Sequence, residues 1–283
     1  MSRPVDSLIE CLRAEEARGV THVHLDEEAK ALLRTLYQRA RRQAAAPREA
    51  VAPEDAPAGA EASPPPLTEL SVAGGTPAER IASLKQQAQA WQPARALGSL
   101  RETMVFSVGD PEAGLMLVGE APGYQEERQR EPFVGPAGQK LNDILKAMGL
   151  AREAVYISNI VKFRPSMPNQ TTNNRKPTGD EMAACLPFIR AEVGVVRPKC
   201  IVALGATAAE GLLGLDGAVA RMRGQWHEFE GIPARVTYHP AYLLHGSAGI
   251  KEKRRIWEDM LAVMERLGLP VSDKQRGFFL PKP

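Results

Sequence analysis

Four short strand-like runs in this chain end at residues that can do chemistry or leave room for it. Leu115-Met116-Leu117-Val118 stops at Gly119, and a carboxylate, Glu120, follows on the tight Ala121-Pro122-Gly123 corner. Tyr156-Ile157-Ser158 leads to the amide of Asn159, Ile201-Val202-Ala203-Leu204 to Gly205, and Arg235-Val236-Thr237-Tyr238 to the imidazole of His239. Runs of this kind, closed by Gly or Pro, read as buried strands. In an open α/β sheet, ligands gather outside the carboxyl ends of the strands. The chemistry is therefore expected around Glu120 and the loop after it. The groups at hand, a carboxylate, an amide and an imidazole, suit acid–base work and hydrogen bonding.

The elements that must position these groups alternate along the chain. Thr76, Pro77 and Glu79 form an N-cap, first-turn proline and capping partner for a helix running to about Trp91. An extended stretch near Met104 to Val108 precedes the strand that ends at Glu120. Leu141, Ile144, Leu145 and Met148 mark a helix stopped by Gly149. Thr178 and Glu181 open another, with Met182, Cys185, Ile189, Val193 and Val196 on its apolar face. A short helix follows Gly205, two strands flank Gly231-Ile232-Pro233, and a last helix over about 251–267 carries Ile256, Trp257, Met260, Met264 and Leu267. Strands alternating with helices imply an α/β fold: three layers, α/β/α, around a central, mainly parallel four-stranded sheet. Its expected extent is 78–270, with a tail over 271–283.

Two segments precede this domain. Residues 1–43 read as a helical N-terminal arm, since Ala29, Leu32, Leu33, Leu36, Tyr37 and Ala40 recur at helical spacing behind Asp26. Residues 44–77, rich in Ala, Pro, Glu and Gly, read as a disordered linker. His22 and His24 alternate, but no spaced carboxylate or cysteine completes a metal site with them.

Composition sets the outer bounds. At 283 residues the chain has room for one large or two small domains, and 43% hydrophobic residues suffice for a real core. A net charge of +2 permits an acidic partner such as DNA without demanding one. No run of about 18 apolar residues suggests a membrane span, and Met1-Ser2-Arg3-Pro4-Val5-Asp6 lacks the apolar core of a signal peptide. Cys11, Cys185 and Cys200 are too few and too scattered for a disulfide framework. The expectation is a reduced, cytoplasmic protein.

Six motifs then occur in order: Gly119-Glu120-Ala121-Pro122-Gly123 with Glu126 three residues on; Pro132-Phe133-Val134-Gly135-Pro136-Ala137-Gly138; Ser158-Asn159-Ile160-Val161-Lys162; Asn174-Arg175-Lys176-Pro177-Thr178; Leu204-Gly205-Ala206-Thr207-Ala208; and His239-Pro240-Ala241-Tyr242-Leu243-Leu244. Together they resemble a family-four uracil-DNA glycosylase over roughly residues 78–267. The resemblance implies an enzyme of base excision repair. It would flip uracil out of single- or double-stranded DNA and hydrolyse the N-glycosidic bond, leaving an abasic site.

The resemblance also implies roles. Phe133 is the stacking platform. Asn159 accepts from uracil N3–H and donates to O4, where cytosine presents the opposite pattern. His239 donates to uracil O2 as charge builds there. Glu126 positions the water or acts as general base, with Glu120 orienting the loop or sharing that work, or the two in reverse. Asn174 is a further catalytic candidate whose role the sequence does not supply. Gly119, Ala121 and Gly123 line the base. Ala121 stands where the best-known uracil-excising class has an aspartate. Gly123 leaves space beside uracil C5, so exclusion of thymine falls to Glu126 or Tyr124. Pro240, Leu243 and Leu244 form an apolar wedge for the minor groove, and Lys251, Lys253, Arg254 and Arg255 follow where they can hold phosphates.

One departure stands out. The family typically carries an iron–sulfur cluster on four cysteines. Here the expected pair falls within residues 91–101, which hold none, the third position is Phe163, and only Cys185 matches. About six additional residues lie around 166–172. The expectation is a cofactor-free enzyme in which Trp91, Phe163 and Phe188 pack where the cluster would sit. The expected partners are uracil-containing DNA, no membrane, no second subunit, and a protein partner for the arm. Two alternatives stay open. One is a non-catalytic DNA-binding or polymerase-associated module, which the missing cysteines and Glu127, where the family prefers aspartate, would suit. The other is a glycosylase for hypoxanthine or xanthine.

Overall fold

A computed structural model describes residues 70–244 and 249–280, all within one compact unit, Ala62–Pro283. The expected arm over 1–43, with Cys11, His22 and His24, and most of the expected linker lie outside the described residues. Thr76 accepts from the Glu79 backbone N–H, and the Glu79 side chain accepts from the Thr76 N–H; this capping box opens α1 (Pro77–Gln89). There follow α2 (Gln92–Arg95), β1 (Leu100–Met104), β2 (Val108–Gly109), β3 (Leu115–Gly119), α3 (Tyr124–Gln129), α4 (Pro136–Met148), β4 (Tyr156–Asn159) and β5 (Phe163–Pro165). The second half adds α5 (Gly179–Val196), β6 (Cys200–Leu204), α6 (Ala206–Leu213), α7 (Val219–Met222), β7 (Trp226–Phe229), β8 (Ile232–Thr237), α8 (Ile250–Leu267) and α9 (Asp273–Arg276). A 3₁₀ segment, Pro240–Leu244, leaves β8.

The main sheet has the order β2-β4-β3-β6-β8-β7. Its four central strands are mutually parallel, as expected from the sequence, and antiparallel β2 and β7 add an edge on each side. β1 and β5 pair separately. The central strands are buried and largely apolar because both of their faces are covered, with Ser158, Asn159, Arg235 and Thr237 as buried polar exceptions. Met116, Val118, Ile201, Ala203 and Val236 enter one core with Leu84 of α1 and Phe188 and Ile189 of α5. Leu115, Leu117, Ile157, Val202 and Leu204 enter the other with Leu141 and Leu145 of α4 and Trp257 and Met260 of α8. Each such side chain stabilises the fold by about 1.5–3 kcal/mol through burial. Trp257 also donates its Nε1–H to Gln275 O at 2.6 Å, and Gln275 Nε2 donates to Ala147 O at 2.9 Å, so α9 is docked onto α4 and α8. No described helix is long and apolar enough to cross a membrane.

Register brings the functional ends together. Gly119 of β3 lies opposite Asn159 of β4, and Leu204 of β6 opposite Thr237 of β8. Glu120, Asn159, Gly205 and His239 consequently emerge along one carboxyl edge.

Candidate active site

At that edge lies a cavity of about 240 Å³ whose wall includes Glu120, Ala121, Gly123, Glu126, Phe133, Asn159, Asn174, Arg175 and His239. Sequence motifs up to 119 residues apart (Glu120 to His239) therefore meet in one place. Gly119, expected to line the base, stands behind the wall, where a Cβ would overlap Asn159 Oδ1 and the edge of the Phe133 ring. Asn159 is buried at 2% exposure.

Phe133 sits on left-handed backbone with φ of +54°. A bulky residue in that region costs on the order of 1–3 kcal/mol and persists only where its surroundings hold it. The ring is buried and stacked on His239, with centroids 5.7 Å apart and planes inclined by 30°. Nothing in the sequence signals this backbone geometry.

The two carboxylates are held differently. Glu126 Oε1 accepts from the backbone N–H groups of Val134 at 3.1 Å and Gly135 at 2.8 Å, which ties α3 to the entrance of α4. A methyl group on Gly123 would stand 2.8 Å from Glu126 Oε2 and 3.1 Å from Asn174 Nδ2, so these two polar ends crowd the same corner. Burial pushes the Glu120 carboxyl above its ordinary pKa; a hydrogen bond from Thr207 and the charge of Lys176 oppose that rise. Thr207, though within a quoted motif, was not singled out from the sequence.

His239 is held neutral. Burial lowers its pKa to about 4, against the opposing pull of Glu126. Its Nδ1 accepts from the Ala241 N–H at 3.2 Å, which leaves the proton on Nε2.

Asn174 is oriented by a residue that sequence reasoning missed. Arg164 Nε donates to Asn174 Oδ1 at 2.9 Å, and because a guanidinium has only donors, the amide nitrogen must be the other end. Arg164 also donates to Glu127 Oε2 at 2.9 Å and to the carbonyls of Thr171 and Asn173. Arg164 is fully buried, and Phe163-Arg164-Pro165 carries no sequence signal of that burial.

The residues of the expected wedge and phosphate contacts lie apart from the cavity wall. Leu244 is exposed, Leu243 is half-buried against Ile144 and Trp257, and Pro240 is buried. Lys253 is exposed near Leu243. Arg254 is committed elsewhere: it donates to Glu258 at 3.0 Å and to the carbonyls of Arg276 and Phe278 at 2.8 and 2.9 Å.

Comparison with known proteins places this geometry. A profile described as "Uracil DNA glycosylase superfamily" matches residues 106–261. The type-4 uracil-DNA glycosylase of Pyrobaculum aerophilum is 38% identical over 160 residues, 54% of this chain and 79% of that one. The type-4 enzyme of Thermotoga maritima is 40% identical over 161 residues, covering 55% and 78% of the two chains. That of Archaeoglobus fulgidus is 37% identical over 157 residues, covering 53% and 76%.

These relatives correct the expectation of a cofactor-free protein. They are type-4 enzymes, an iron–sulfur class, so the likeness gives no ground for reading the chain as free of a cluster. At the positions expected from the sequence to match the family's ligands, the side chains do not form a ligand set. Cys185 is a free, fully buried thiol whose pKa burial pushes up to about 11, and Phe163 lies in the same core. Trp91 meets Phe188 edge-on there at 5.2 Å. Among the described residues no three His, Cys, Asp or Glu side chains converge to hold a metal ion.

A superfamily profile across more than half of the chain, and relatives of which it covers more than three quarters, lead to one conclusion: the chain belongs to the uracil-DNA glycosylase superfamily.

Proposed function

We propose that this cavity receives a uracil flipped out of DNA and that the side chains around it carry out hydrolysis of the N-glycosidic bond. The chain is a uracil-excising DNA repair glycosylase, as its superfamily and its type-4 relatives support, and DNA is its substrate. Phe133 stacks on the base, and Asn159 reads N3–H and O4. As the bond between sugar C1′ and uracil N1 breaks, its electron pair leaves with uracil, and the sugar becomes oxocarbenium-like. His239 donates its Nε2–H to O2, where the negative charge collects. A neutral imidazole suits this task, since it gives a hydrogen bond without introducing a cation that the buried site would have to solvate.

Glu126 holds the water that attacks C1′ and takes its proton, with Glu120 sharing the stabilisation of the cationic sugar. Asn174 presents its amide nitrogen to the same corner. Leu243 and Leu244 fill the gap left in the duplex, with Lys253 on a phosphate. A cavity complete within one chain supports action as a monomer, and we place that action in the cytoplasm, with residues 1–43 left for a protein partner.

The observation that carries this reading is the neutral, tautomer-fixed His239 facing one cavity with Glu126, Phe133 and Asn159. The test is chromatographic detection of free base from oligonucleotides holding a single uracil, hypoxanthine, xanthine or cytosine. Release of uracil, with cytosine untouched, is expected. Release of hypoxanthine or xanthine in place of uracil would overturn it.

A further inference from the structure

One buried ionic pair takes no part in the chemistry above. Lys162 and Glu192 of α5 are both fully buried, with Nζ 2.6 Å from Oε1. Taking two charges out of water is expensive, and a buried pair is often no more stabilising than apolar residues of the same volume. Stability alone is therefore a weak reason for it. The direction of the ammonium's other donors gives a stronger one. Lys162 Nζ donates to Ser158 Oγ at 2.6 Å and to the backbone carbonyl of Asn159 at 3.1 Å. The face of the Phe106 ring lies 4.9 Å from it. Two of its N–H groups hold the last two residues of β4, and Glu192 meets the same ammonium as its ion-pair partner.

That end is where the base-reading amide stands. The chain turns directly after it, with the Ile160 N–H donating to Gly119 O at 2.9 Å. The Asn159 side chain occupies the space that a Cβ on Gly119 would need. Gly119 thus bounds the amide on one side, and Lys162 fixes its backbone from beneath. Glu192 anchors that ammonium to α5, so the position of Asn159 is referred to the helical layer and not to the strand end alone.

We propose that Lys162, held by Glu192, is a positioning residue for base recognition, acting through Asn159. This rests on the proposed role of Asn159 in reading uracil. The experiment measures uracil release and melting temperature for the apolar pair Lys162→Met/Glu192→Leu and for Ser158→Ala, each in the parent and in the Asn159→Ala background. In the parent the apolar pair is expected to lower kcat/KM by roughly 10²-fold, the scale that a misplacement of about 1 Å carries. In Asn159→Ala the same change is expected to fall within about twofold, as for sites no longer coupled. Ser158→Ala, which removes one anchor and leaves the ion pair, is expected to show a smaller loss with the same dependence on background. Should the apolar pair not fold, Ser158→Ala decides. Equal losses in both backgrounds, or no loss in a folded variant, would overturn the assignment of Lys162 while leaving the pocket's function intact. Wild-type release by Asn159→Ala would overturn the reading of the pocket and this inference with it.

Discussion

The backbone N–H of Ala241 donates to Nδ1 of His239 at 3.2 Å, and this contact decides which nitrogen of the imidazole can act. With Nδ1 occupied as an acceptor, Nε2 carries the proton. Burial lowers the pKa from 6.5 to about 4, so the ring stays neutral across the physiological range. The excision rate should therefore show no inflection near pH 6.5. The folded state binds this proton less readily than the unfolded chain does. The associated stability is complete above about pH 6.5 and is lost as the pH falls toward about 4. Titration of the imidazole by NMR, beside melting temperatures over that window, checks both statements; an imidazole titrating near 6.5 would contradict them.

Glu120 should trade stability for function. Its carboxyl titrates above its ordinary value because burial disfavours the charge. Ionising it at neutral pH therefore costs the folded state more than the unfolded one. Glu120→Gln is expected to raise the melting temperature at pH 7 while lowering uracil release, and the gain in stability should shrink as the pH falls through the titration of the carboxyl. Calorimetry at neutral and acid pH measures this.

Glu126 should separate chemistry from folding. A glutamine in its place keeps an oxygen for the Val134 and Gly135 N–H groups but loses the base. Glu126→Gln is expected to leave the melting temperature nearly unchanged and to lower single-turnover release by about 10²–10⁴-fold, the usual worth of general base catalysis.

Much of this site was legible because the sequence marks its local parts. The capping boxes at Thr76 and Thr178 and the glycine stops at Gly149 and Gly205 are encoded within a few residues, and the structure has them where expected. The ends of β3 and β6 were readable because a strand covered on both faces is largely apolar until it leaves the sheet. What the sequence did not yield depends on contacts between distant segments. The left-handed backbone at Phe133 accompanies packing of its ring on Gly119 and His239, and the grip of Arg164 on Asn174 exists only once β5 and the 171–174 loop meet. The antiparallel edges likewise follow from pairing: Val108–Gly109 is too short to carry a pattern of its own.

Gly119 should tolerate no side chain. A Cβ there would overlap both the Asn159 amide and the Phe133 ring, and overpacking of this kind costs about 1–3 kcal/mol. Gly119→Ala is expected to lower the melting temperature and to abolish uracil release, since it displaces the two groups proposed to hold the base. Retained release in this variant would place the base elsewhere.

The most direct test is release of uracil from a labelled oligonucleotide with one uracil, measured for the parent and for His239→Ala. With the parent, alkaline treatment is expected to break the strand at the resulting abasic site, and removal of His239 is expected to lower release by about 10²–10³-fold, as for other single donors to a developing anion. Equal release by the two proteins would contradict the role of His239. No release by either would contradict the assignment of this cavity as a uracil-excising site.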